Sequence, residues 1–278
     1  MSNAFPLVSV LMTSYNREKY IAVAIESVLN STYKNFELII VDDCSNDKTV
    51  NIATSYATRD ERIRVYVNEK NLGDYPNRNQ AASYAKGKYL KYVDADDLIY
   101  PTGLEVLVSM MEQFPDAGYG LCSLNPDKKQ IFPFELSPGD AYRYHYFGPG
   151  LFHKAPLSAI FRIDAFKAVG GFTGKQHVGD FEMWHLLSRE NRVVLMPQGI
   201  VWYREHADQQ MAANRTNPLI PFKYFVLAKE LITARCPLSE KEKKVVVKMI
   251  NRTIVKMIMG RVKRLDFSKA KEMKNFKF

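Results

Sequence analysis

The sequence predicts a doubly wound α/β fold, with a mostly parallel sheet flanked by helices and a helical extension at the C-terminus. Short apolar segments alternate with helical segments through the first hundred residues, which is the order of repeated β-α-β units. The apolar segments are nearly continuous, as expected for strands buried on both faces. Each is followed by a polar cluster, namely TSYN, DDCS, NLG or DADD. Ligands bind at the carboxyl ends of parallel strands, so these clusters predict a ligand site along one edge of the sheet.

The first hundred residues supply most of the predicted sheet. Four apolar segments are expected to be strands, at residues 7–12, 36–41, 63–67 and 88–93. Helices are expected between them at residues 19–30, 47–56 and 75–85. In the first of these helices, Ile21, Ala24, Ile25, Val28 and Leu29 recur at helical spacing.

The middle of the chain is less regular. A helix is expected at residues 101–114, whereas residues 115–158 show no clear period and are expected to be strands and loops that cover the site. A short helix at residues 163–169 is expected to stop at two glycines, as at a glycine C-cap. The remaining elements are a helix at residues 179–189, a strand at 192–196, and a loop or strand end at 202–206.

The C-terminal part is helical from about residue 219 and strongly basic. Residues 216–278 hold 16 Lys and Arg against 5 Asp and Glu, or +11, whereas residues 1–215 hold 23 against 25, or −2. An apolar stripe runs beside a basic stripe: Val247, Ile250, Ile254, Ile258 and Val262 against Lys244, Lys248, Arg252 and Lys256. We therefore expect a nearly neutral body at 1–215 and a basic amphipathic helical extension at 216–278.

Composition limits the class of protein. A chain of 278 residues that is 46% hydrophobic and 25% charged is typical of a soluble globular protein. No apolar run suits a transmembrane helix or a signal peptide, and three widely spaced cysteines suit a reducing compartment. We expect a cytoplasmic protein, with the basic extension indicating an anionic membrane surface or a partner helix. Nucleic acid is not an expected partner, because the extension interleaves basic residues with Val, Ile and Met rather than aromatic residues.

The cluster DADD places Asp94, Asp96 and Asp97 together at a strand end, with Ala95 between the first two. One aspartate there would serve as a helix cap before Pro101. Three carboxylates raise one another's pKa values and require a counter-charge. A divalent cation, Mg²⁺ or Mn²⁺, held by one or two carboxylates and substrate phosphates would supply it. Both interpretations stay open on spacing alone.

Four segments together resemble the family 2 inverting glycosyltransferases of the GT-A fold. They are the stretch from SVLMTSYNREKY to VDDCSNDKT, then NLGDYPNRNQ to DADD, then AVGGFTGKQHVGDFEMWHLLSR, and finally WYREHADQQM. The resemblance runs from residue 8 to 211 and implies a GT-A catalytic domain at 1–215. It implies transfer of a sugar from a nucleotide-diphosphate sugar, expected to be UDP-linked, to a glycan or lipid-linked acceptor with inversion. The pathway it implies is bacterial cell-surface polysaccharide or lipopolysaccharide synthesis.

The resemblance also implies roles for individual residues. In the Asp94–Ala95–Asp96 segment, Asp96 is expected to bind the metal and Asp94 the ribose or metal, while Asp97 shares that role or caps the next helix. Further nucleotide contacts are expected from Thr13, Tyr15, Asn16, Asp43, Arg78 and Asn79. A Tyr face stacks on a base and a carboxylate accepts from a ring N–H, so these residue types suit a nucleotide.

The same resemblance places the catalytic base after Gly170-Gly171-Phe172. Asp180 is the best match, with Glu182 as the alternative because the family more often has Glu-Asp where this chain has Gly179-Asp180. Two residues apart on a helix, they do not face the same way. Trp184 is expected in the core rather than as a sugar platform. His206 is expected to complete the metal shell and Arg204 to pair with phosphate.

Two other functions compete with glycosyl transfer. A sugar-phosphate nucleotidyltransferase also uses a doubly wound sheet and Mg²⁺, but it would need a Gly-rich basic loop after the first strand, where TSYNREKY has no glycine. A nucleic-acid-binding protein would rely on the basic extension. The segment 115–158 is expected to set the choice of sugar and acceptor.

Overall fold

The computed structural model describes residues 5–206 and 217–278, which form a mostly parallel sheet flanked by helices. Its strands are β1 Val8–Ser14, β2 Phe36–Asp42, β3 Ile63–Val67, β4 Tyr89–Tyr92, β5 Leu98–Ile99, β6 Ala117–Leu124, β7 Phe134–Leu136, β8 Ala159–Arg162, β9 Arg192–Pro197 and β10 Val201–Trp202. The predicted α/β class is confirmed. The end of the resembling segment, residues 207–211, and the expected boundary at 215 lie outside the described residues.

Ten α-helices occur among the described residues, joined to the strands mostly by short connections. They are α1 Ile21–Leu29, α2 Thr49–Ala57, α3 Asp74–Ser83, α4 Gly103–Glu112, α5 Pro138–Phe147, α6 Ile163–Ala168, α7 Gly179–Glu190, α8 Leu219–Ala234, α9 Glu240–Lys263 and α10 Phe267–Asn275. Within this described part of the chain, no helix has the length and apolarity that a bilayer crossing requires.

The main sheet has eight strands in the order β3-β2-β1-β4-β8-β6-β9-β7. The chain moves outward from β1 to β3 and then returns to place β4 on the other side of β1, and all four strands are parallel. Their carboxyl ends therefore lie at one edge, and β1 is the point where the strand order reverses. That edge is where an α/β sheet binds its ligand.

The sheet is buried on both faces because its strands are apolar throughout. Along β1, Leu11 enters one core with the helices α3 and α7, while Val10 and Met12 enter the other core with α1 and α4. Successive side chains of a strand point to opposite faces, so a continuous apolar run is what a sheet between two helical layers requires.

Two parts of the fold differ from the sequence-based expectation. Residues 138–147 form helix α5 inside the segment expected to hold only strands and loops, and that expectation was wrong. Ser137 caps this helix and Pro138 opens it, so the start signal was present without an apolar helical period. The short antiparallel pair of β5 with β10 was also missed at Leu98–Ile99, although a strand end near Trp202 was expected.

The C-terminal helices pack on the rest of the chain. Leu227 and Leu231 of α8, and Val246 and Ile250 of α9, lie in the same core as α7. A capping box at Ser239 and Glu242 begins α9, and Glu242 also pairs with Arg143 of α5 at 2.7 Å. The predicted basic stripe on α9 is exposed along its length.

Candidate active site

The polar strand ends meet in one large cavity of about 1960 Å³ at the carboxyl edge of the sheet. Most of the residues that the sequence singled out line it: Thr13, Tyr15, Asn16, Asp43, Arg78, Asp94, Asp96, Asp97 and Asp180. Ala95 is buried and contributes backbone, because its N–H donates to the Thr13 carbonyl at 3.2 Å and ties the acidic turn to β1.

Asp94 is neutralised by an arginine from α3. Arg78 reaches its two carboxylate oxygens with two N–H groups, at 2.7 and 2.8 Å, and Thr13 donates to Oδ1 at 3.0 Å. Burial alone would lower the pKa of Arg78, but ion pairs with Asp74 and Asp94 hold it well above its usual value. The predicted nucleotide residues Thr13, Arg78 and Asp94 are therefore one rigid unit.

The carboxylate of Asp96 contacts both a guanidinium group and an imidazole ring at the cavity. Its Oδ2 accepts from Arg17 Nε at 2.8 Å and lies 3.1 Å from His206 Nε2. The His206 ring also lies against the Tyr20 ring, with centroids 4.5 Å apart. Arg17 was not identified from the sequence, because nothing in its neighbourhood indicates a partner 79 residues away.

Asp96 and His206 fit the role of metal ligands only in part. Two adjacent ligands at about 2.1 Å from an octahedral ion are about 3 Å apart, which matches the 3.1 Å between their donor atoms. Within residues 5–206 and 217–278, however, no three His, Cys, Asp or Glu side chains are grouped as a complete metal site. A divalent cation there would need phosphate oxygens of a substrate to fill its shell.

Asp97 is set apart from its two neighbours by burial. It is 2% exposed, and its Oδ1 accepts from the Arg204 backbone N–H at 3.0 Å. Burial, followed by repulsion from Asp94, raises its pKa to about 8. Burial thus favours the neutral form of this carboxyl, and its hydrogen bond with the Arg204 N–H fixes the chain segment that carries Arg204 and His206.

Arg204 closes over the acidic turn from the β10 side. Its Nε donates to the Asp96 carbonyl at 2.9 Å. Its guanidinium lies 4.8 Å from the Trp202 ring centroid and 5.2 Å from that of Tyr20. These contacts hold a permanent positive charge beside the carboxylates, where an anionic ligand would bind.

The loop residues around the pocket expected to bind the nucleotide base are fixed by hydrogen bonds to neighbouring loops. Asp43 accepts from the backbone N–H groups of Leu72 and Gly73, both at 2.8 Å, and from the Asn68 amide at 2.9 Å. Asn16 has a φ of +52° and accepts from the Asn46 N–H at 2.9 Å. Tyr15 is 43% exposed in the cavity, which leaves its ring available to a planar ligand.

Asp180 lies in the first turn of α7 and is held from α3 by Tyr75. The Tyr75 hydroxyl accepts from the backbone N–H groups of Gly179 and Asp180, at 3.1 and 3.3 Å. Burial raises the pKa of Asp180 to about 6. A Cβ at Gly179 would lie 2.7 Å from the Tyr75 ring, so glycine at this position allows Tyr75 to pack directly against the start of α7.

Glu182, the alternative base, is engaged elsewhere. It is 4% exposed, pairs with Lys175 at 2.7 Å and accepts a short hydrogen bond from Thr173. These contacts fix the segment that leads into α7. Trp184 is buried and donates to the Lys154 carbonyl at 2.7 Å, as expected of a core residue.

Asn79 is also a positioning residue rather than a cavity residue. Its amide exchanges hydrogen bonds of 2.8 and 2.9 Å with the Phe172 backbone. A Cβ at Gly171, which has a φ of +71°, would lie 2.6 Å from Asn79 Oδ1. The Gly-Gly-Phe turn is therefore anchored on α3, the same helix that carries Arg78 and Tyr75.

Sequence comparison identifies the family. The sequence profile described as glycosyl transferase family 2 matches residues 9–170. The chain is 43% identical over 150 residues to the Bacillus subtilis glycosyltransferase TuaG, which is named for teichuronic acid biosynthesis, covering 51% of this chain and 60% of TuaG. It is 41% identical over 105 residues to Escherichia coli WfgD, covering 38% and 41% respectively. WfgD is a UDP-Glc:α-D-GlcNAc-diphosphoundecaprenol β-1,3-glucosyltransferase. The matched segments thus span less than two thirds of the length of both relatives.

Solved structures identify the fold. TarS of S. aureus, in complex with UDP-GlcNAc, superposes with a TM-score of 0.68 at 21% identity, covering 87% of this chain and 71% of TarS. The mannosyltransferase PcManGT of Pyrobaculum calidifontis, in complex with GDP-Man and Mn²⁺, gives 0.64 at 15% identity, covering 98% and 81%. At these identities the likeness establishes the GT-A fold alone. Together with the family profile, it confirms the predicted resemblance: this chain belongs to glycosyl transferase family 2.

Proposed function

We propose that this protein transfers a sugar from a nucleotide-diphosphate sugar, UDP-linked, to an acceptor hydroxyl with inversion of the anomeric carbon. The observation that carries the proposal is that one cavity is lined both by the Asp94–Asp96 turn and by Asp180. An acidic turn with arginines beside it suits a diphosphate. A half-buried carboxylate with a pKa of about 6 suits a general base.

The donor half of the cavity is proposed to bind the nucleotide through the loops that follow β1 to β4. Tyr15 offers an exposed ring to the base, and the rigid Thr13–Asp94–Arg78 unit offers fixed polar groups to the ribose. Asp43 contributes mainly by shaping the pocket, because Leu72, Gly73 and Asn68 already occupy its carboxylate.

Asp96 and His206 are the residues proposed to hold Mn²⁺ or Mg²⁺. Such an ion, when bound, supplies positive charge to the diphosphate as it leaves. Arg204 adds a second positive charge at the same place, and its contacts with Tyr20 and Trp202 orient it beforehand. PcManGT was solved with Mn²⁺ and GDP-Man, which supports this assignment.

Asp180 is proposed to take the proton from the acceptor hydroxyl. At neutral pH a carboxyl with a pKa of about 6 is ionised yet more basic than an ordinary aspartate. Deprotonation of the hydroxyl while it attacks the anomeric carbon is a single displacement, which inverts that carbon. Glu182 is not the proposed base, because Lys175 and Thr173 hold its carboxylate.

We further propose that residues 1–215 form the catalytic domain and that 216–278 hold it at an anionic membrane surface near a lipid-linked acceptor. Val245, Met249, Val255 and Met259 are each at least 45% exposed on α9, beside the exposed Lys248, Arg252 and Lys256. Apolar and basic side chains on one outward face suit a lipid interface. WfgD uses a diphosphoundecaprenol acceptor, and TuaG and WfgD support a role in bacterial surface polysaccharide synthesis.

A nucleotide-sugar panel tests the donor assignment. Thermal unfolding is measured with UDP-, GDP- and dTDP-sugars in Mn²⁺ and again in EDTA. We expect the uridine compounds to raise the unfolding temperature only when the ion is present, and NMR of the product to show an inverted anomer. A protein that no nucleotide sugar stabilises would contradict the proposal.

Flotation with liposomes tests the membrane assignment. Reversing Lys248 and Arg252 to Glu should weaken recovery with anionic vesicles at least tenfold, since each basic residue contributes about 1 kcal/mol at such a surface. The control reverses Lys128 and Lys129, which are exposed on the body and change net charge equally. Equal recovery of both variants would refute the role of α9.

A further inference from the structure

A wall of aromatic and imidazole side chains lines the cavity beside Asp180. We define the aromatic wall as His145, Tyr146, His153, Phe181 and Tyr224. His153 is exposed and stacks on Phe181 with centroids 5.1 Å apart and planes at 20°. Tyr224 meets Phe181 edge-on at 5.2 Å. His145 and Tyr224 also contact the His153 ring, at 5.1 and 5.7 Å between centroids, and the part of the ring that remains exposed lies in the cavity.

Hydrogen bonds behind the wall fix the protonation of its members. His145 Nδ1 accepts from the backbone N–H groups of Leu151 and Phe152, both at 3.1 Å, so the proton of the neutral ring lies on Nε2. The Tyr146 hydroxyl lies 2.7 Å from Nε2 of His185, whose Nδ1 lies 2.8 Å from the Phe181 carbonyl. Burial, then the neighbouring His185, holds the pKa of His145 well below its ordinary value.

Two polar groups of the wall have no protein partner. In the described part of the chain, neither the ring nitrogens of His153 nor the Tyr224 hydroxyl makes a hydrogen bond. Burial, followed by the charge of Asp180, raises the pKa of Tyr224, which places this hydroxyl within electrostatic reach of the base. Partial burial of the His153 ring against Phe181 also lowers its pKa. The wall therefore offers uncharged donors and acceptors next to Asp180.

The charges around the cavity are unevenly distributed. The arginine and lysine side chains that line it, within the described residues, are Arg17, Lys19 and Arg78. They lie in the segment after β1 and in α3, and none belongs to the aromatic wall. An anionic group at the wall would lie beside the negative charge of Asp180, and no lysine or arginine belongs to the wall to pair with it. A neutral sugar ring would match the wall. Its C–H faces can pack on the aromatic side chains, and its hydroxyls can form hydrogen bonds with the N–H and O–H groups of the wall.

We propose that the aromatic wall is the acceptor subsite, and that it takes a neutral sugar ring rather than a phosphate or a uronic acid. The ring lies against His153, with Tyr224 hydrogen-bonding a hydroxyl next to the one that Asp180 deprotonates. His145 Nε2–H is a further donor to this ring. This inference rests on the proposed function and adds the class of acceptor that the site recognises.

Saturation-transfer NMR on the full chain with UDP and Mn²⁺ tests the proposal. The probes are methyl β-D-glucopyranoside and methyl N-acetyl-β-D-glucosaminide as neutral rings, against methyl β-D-glucuronide and glucose 1-phosphate as anionic ones. We expect signals from the neutral pair alone. His153→Ala and Tyr224→Phe should each weaken that binding about tenfold, as for the loss of one hydrogen bond. Phe147→Ala and Tyr100→Phe, exposed residues outside the cavity, are the matched controls.

The outcomes separate this inference from the proposed donor chemistry, because UDP binding is measured on the same samples by calorimetry. Preference for the anionic probes, absence of any glycoside signal, or full retention of binding in both wall variants would overturn the subsite. Tyr224→Phe removes a single oxygen and keeps the ring, so a loss of binding in this variant cannot be attributed to a packing defect that destabilises the fold. Glycoside binding without UDP binding would overturn the proposed donor while still supporting the wall as a sugar site.

Discussion

Replacing Asp180 by Asn tests the proposed base and its environment together. The amide keeps an oxygen that accepts from the Phe181 N–H, now bonded to Oδ1 at 2.8 Å, so the start of α7 should be preserved. It cannot accept the proton of an acceptor hydroxyl. We therefore expect kcat to fall about 10²- to 10⁴-fold, the usual contribution of a general base, while UDP-sugar affinity stays within about twofold.

The same substitution should stabilise the fold at neutral pH. Burial raises the pKa of Asp180 from 3.8 to about 6, so the ionised carboxylate is disfavoured in the folded state. The stability associated with the protonated form is present below pH 3.8 and is lost as the pH rises through 6. At pH 7.5 the neutral amide should raise the free energy of unfolding by ~3 kcal/mol, since one pKa unit is worth about 1.4 kcal/mol. Near pH 4 the gain should be small.

Two measurements check this reasoning. In the wild type, log kcat/KM should rise with a slope of one below about pH 6 and level off above it. Thermal unfolding is measured for the wild type and Asp180→Asn at pH 4 and 7.5. The unfolding temperature of the variant, relative to that of the wild type, should be about 6 °C higher at pH 7.5 than at pH 4. Glu182→Gln, on the same helix, is the matched control, and its kcat/KM should still fall below about pH 6 as in the wild type. A variant that retains near-normal turnover, or that unfolds earlier at pH 7.5, would refute the assignment.

Four substitutions separate roles in and around the cavity. Asp96→Asn should abolish Mn²⁺-dependent UDP binding in calorimetry, whereas Asp97→Asn should preserve it, because burial already favours the neutral form of Asp97; equal losses would contradict this. Glu182→Gln should lower the free energy of unfolding by about 1–3 kcal/mol in urea, with kcat changed less than tenfold, since it removes the partner of Lys175. Tyr75→Phe leaves two N–H groups of α7 unpaired and should cost about 1–3 kcal/mol; a drop in kcat without a change in donor affinity would show that it positions Asp180.

The sequence predicted the sheet and its ligand edge well because both depend on local patterns. The apolar run of β1 and the polar TSYN after it are adjacent in the chain, and the strand order places the acidic turn after β4 beside them. Helix α5 was missed because Tyr142, Tyr144, His145 and Tyr146 give no apolar period. Tyr142, His145 and Tyr146 pack against His185 of α7, and His145 and Tyr146 line the cavity; neither is a local property of the sequence.

The partners of the carboxylates could not be predicted, because each comes from a distant part of the chain. Repulsion among Asp94, Asp96 and Asp97 favours a divalent cation on spacing alone, with a helix cap as the alternative. In the structure Arg78 neutralises Asp94, and burial raises the pKa of Asp97, which favours its uncharged form. Repulsion within the cluster is therefore not a sufficient reason for a metal.

What favours a cation is narrower and concerns Asp96 alone. Its carboxylate shares Oδ2 between Arg17 and His206 at the cavity surface. An ion that bound this oxygen would have to displace the Arg17 guanidinium, exchanging one positive charge for another. That exchange gains little unless new ligands accompany it, and a diphosphate is such a ligand because Mg²⁺ and Mn²⁺ prefer phosphate oxygens. Cation and nucleotide binding at Asp96 are therefore expected to be coupled, with the freed Arg17 available to the same phosphates.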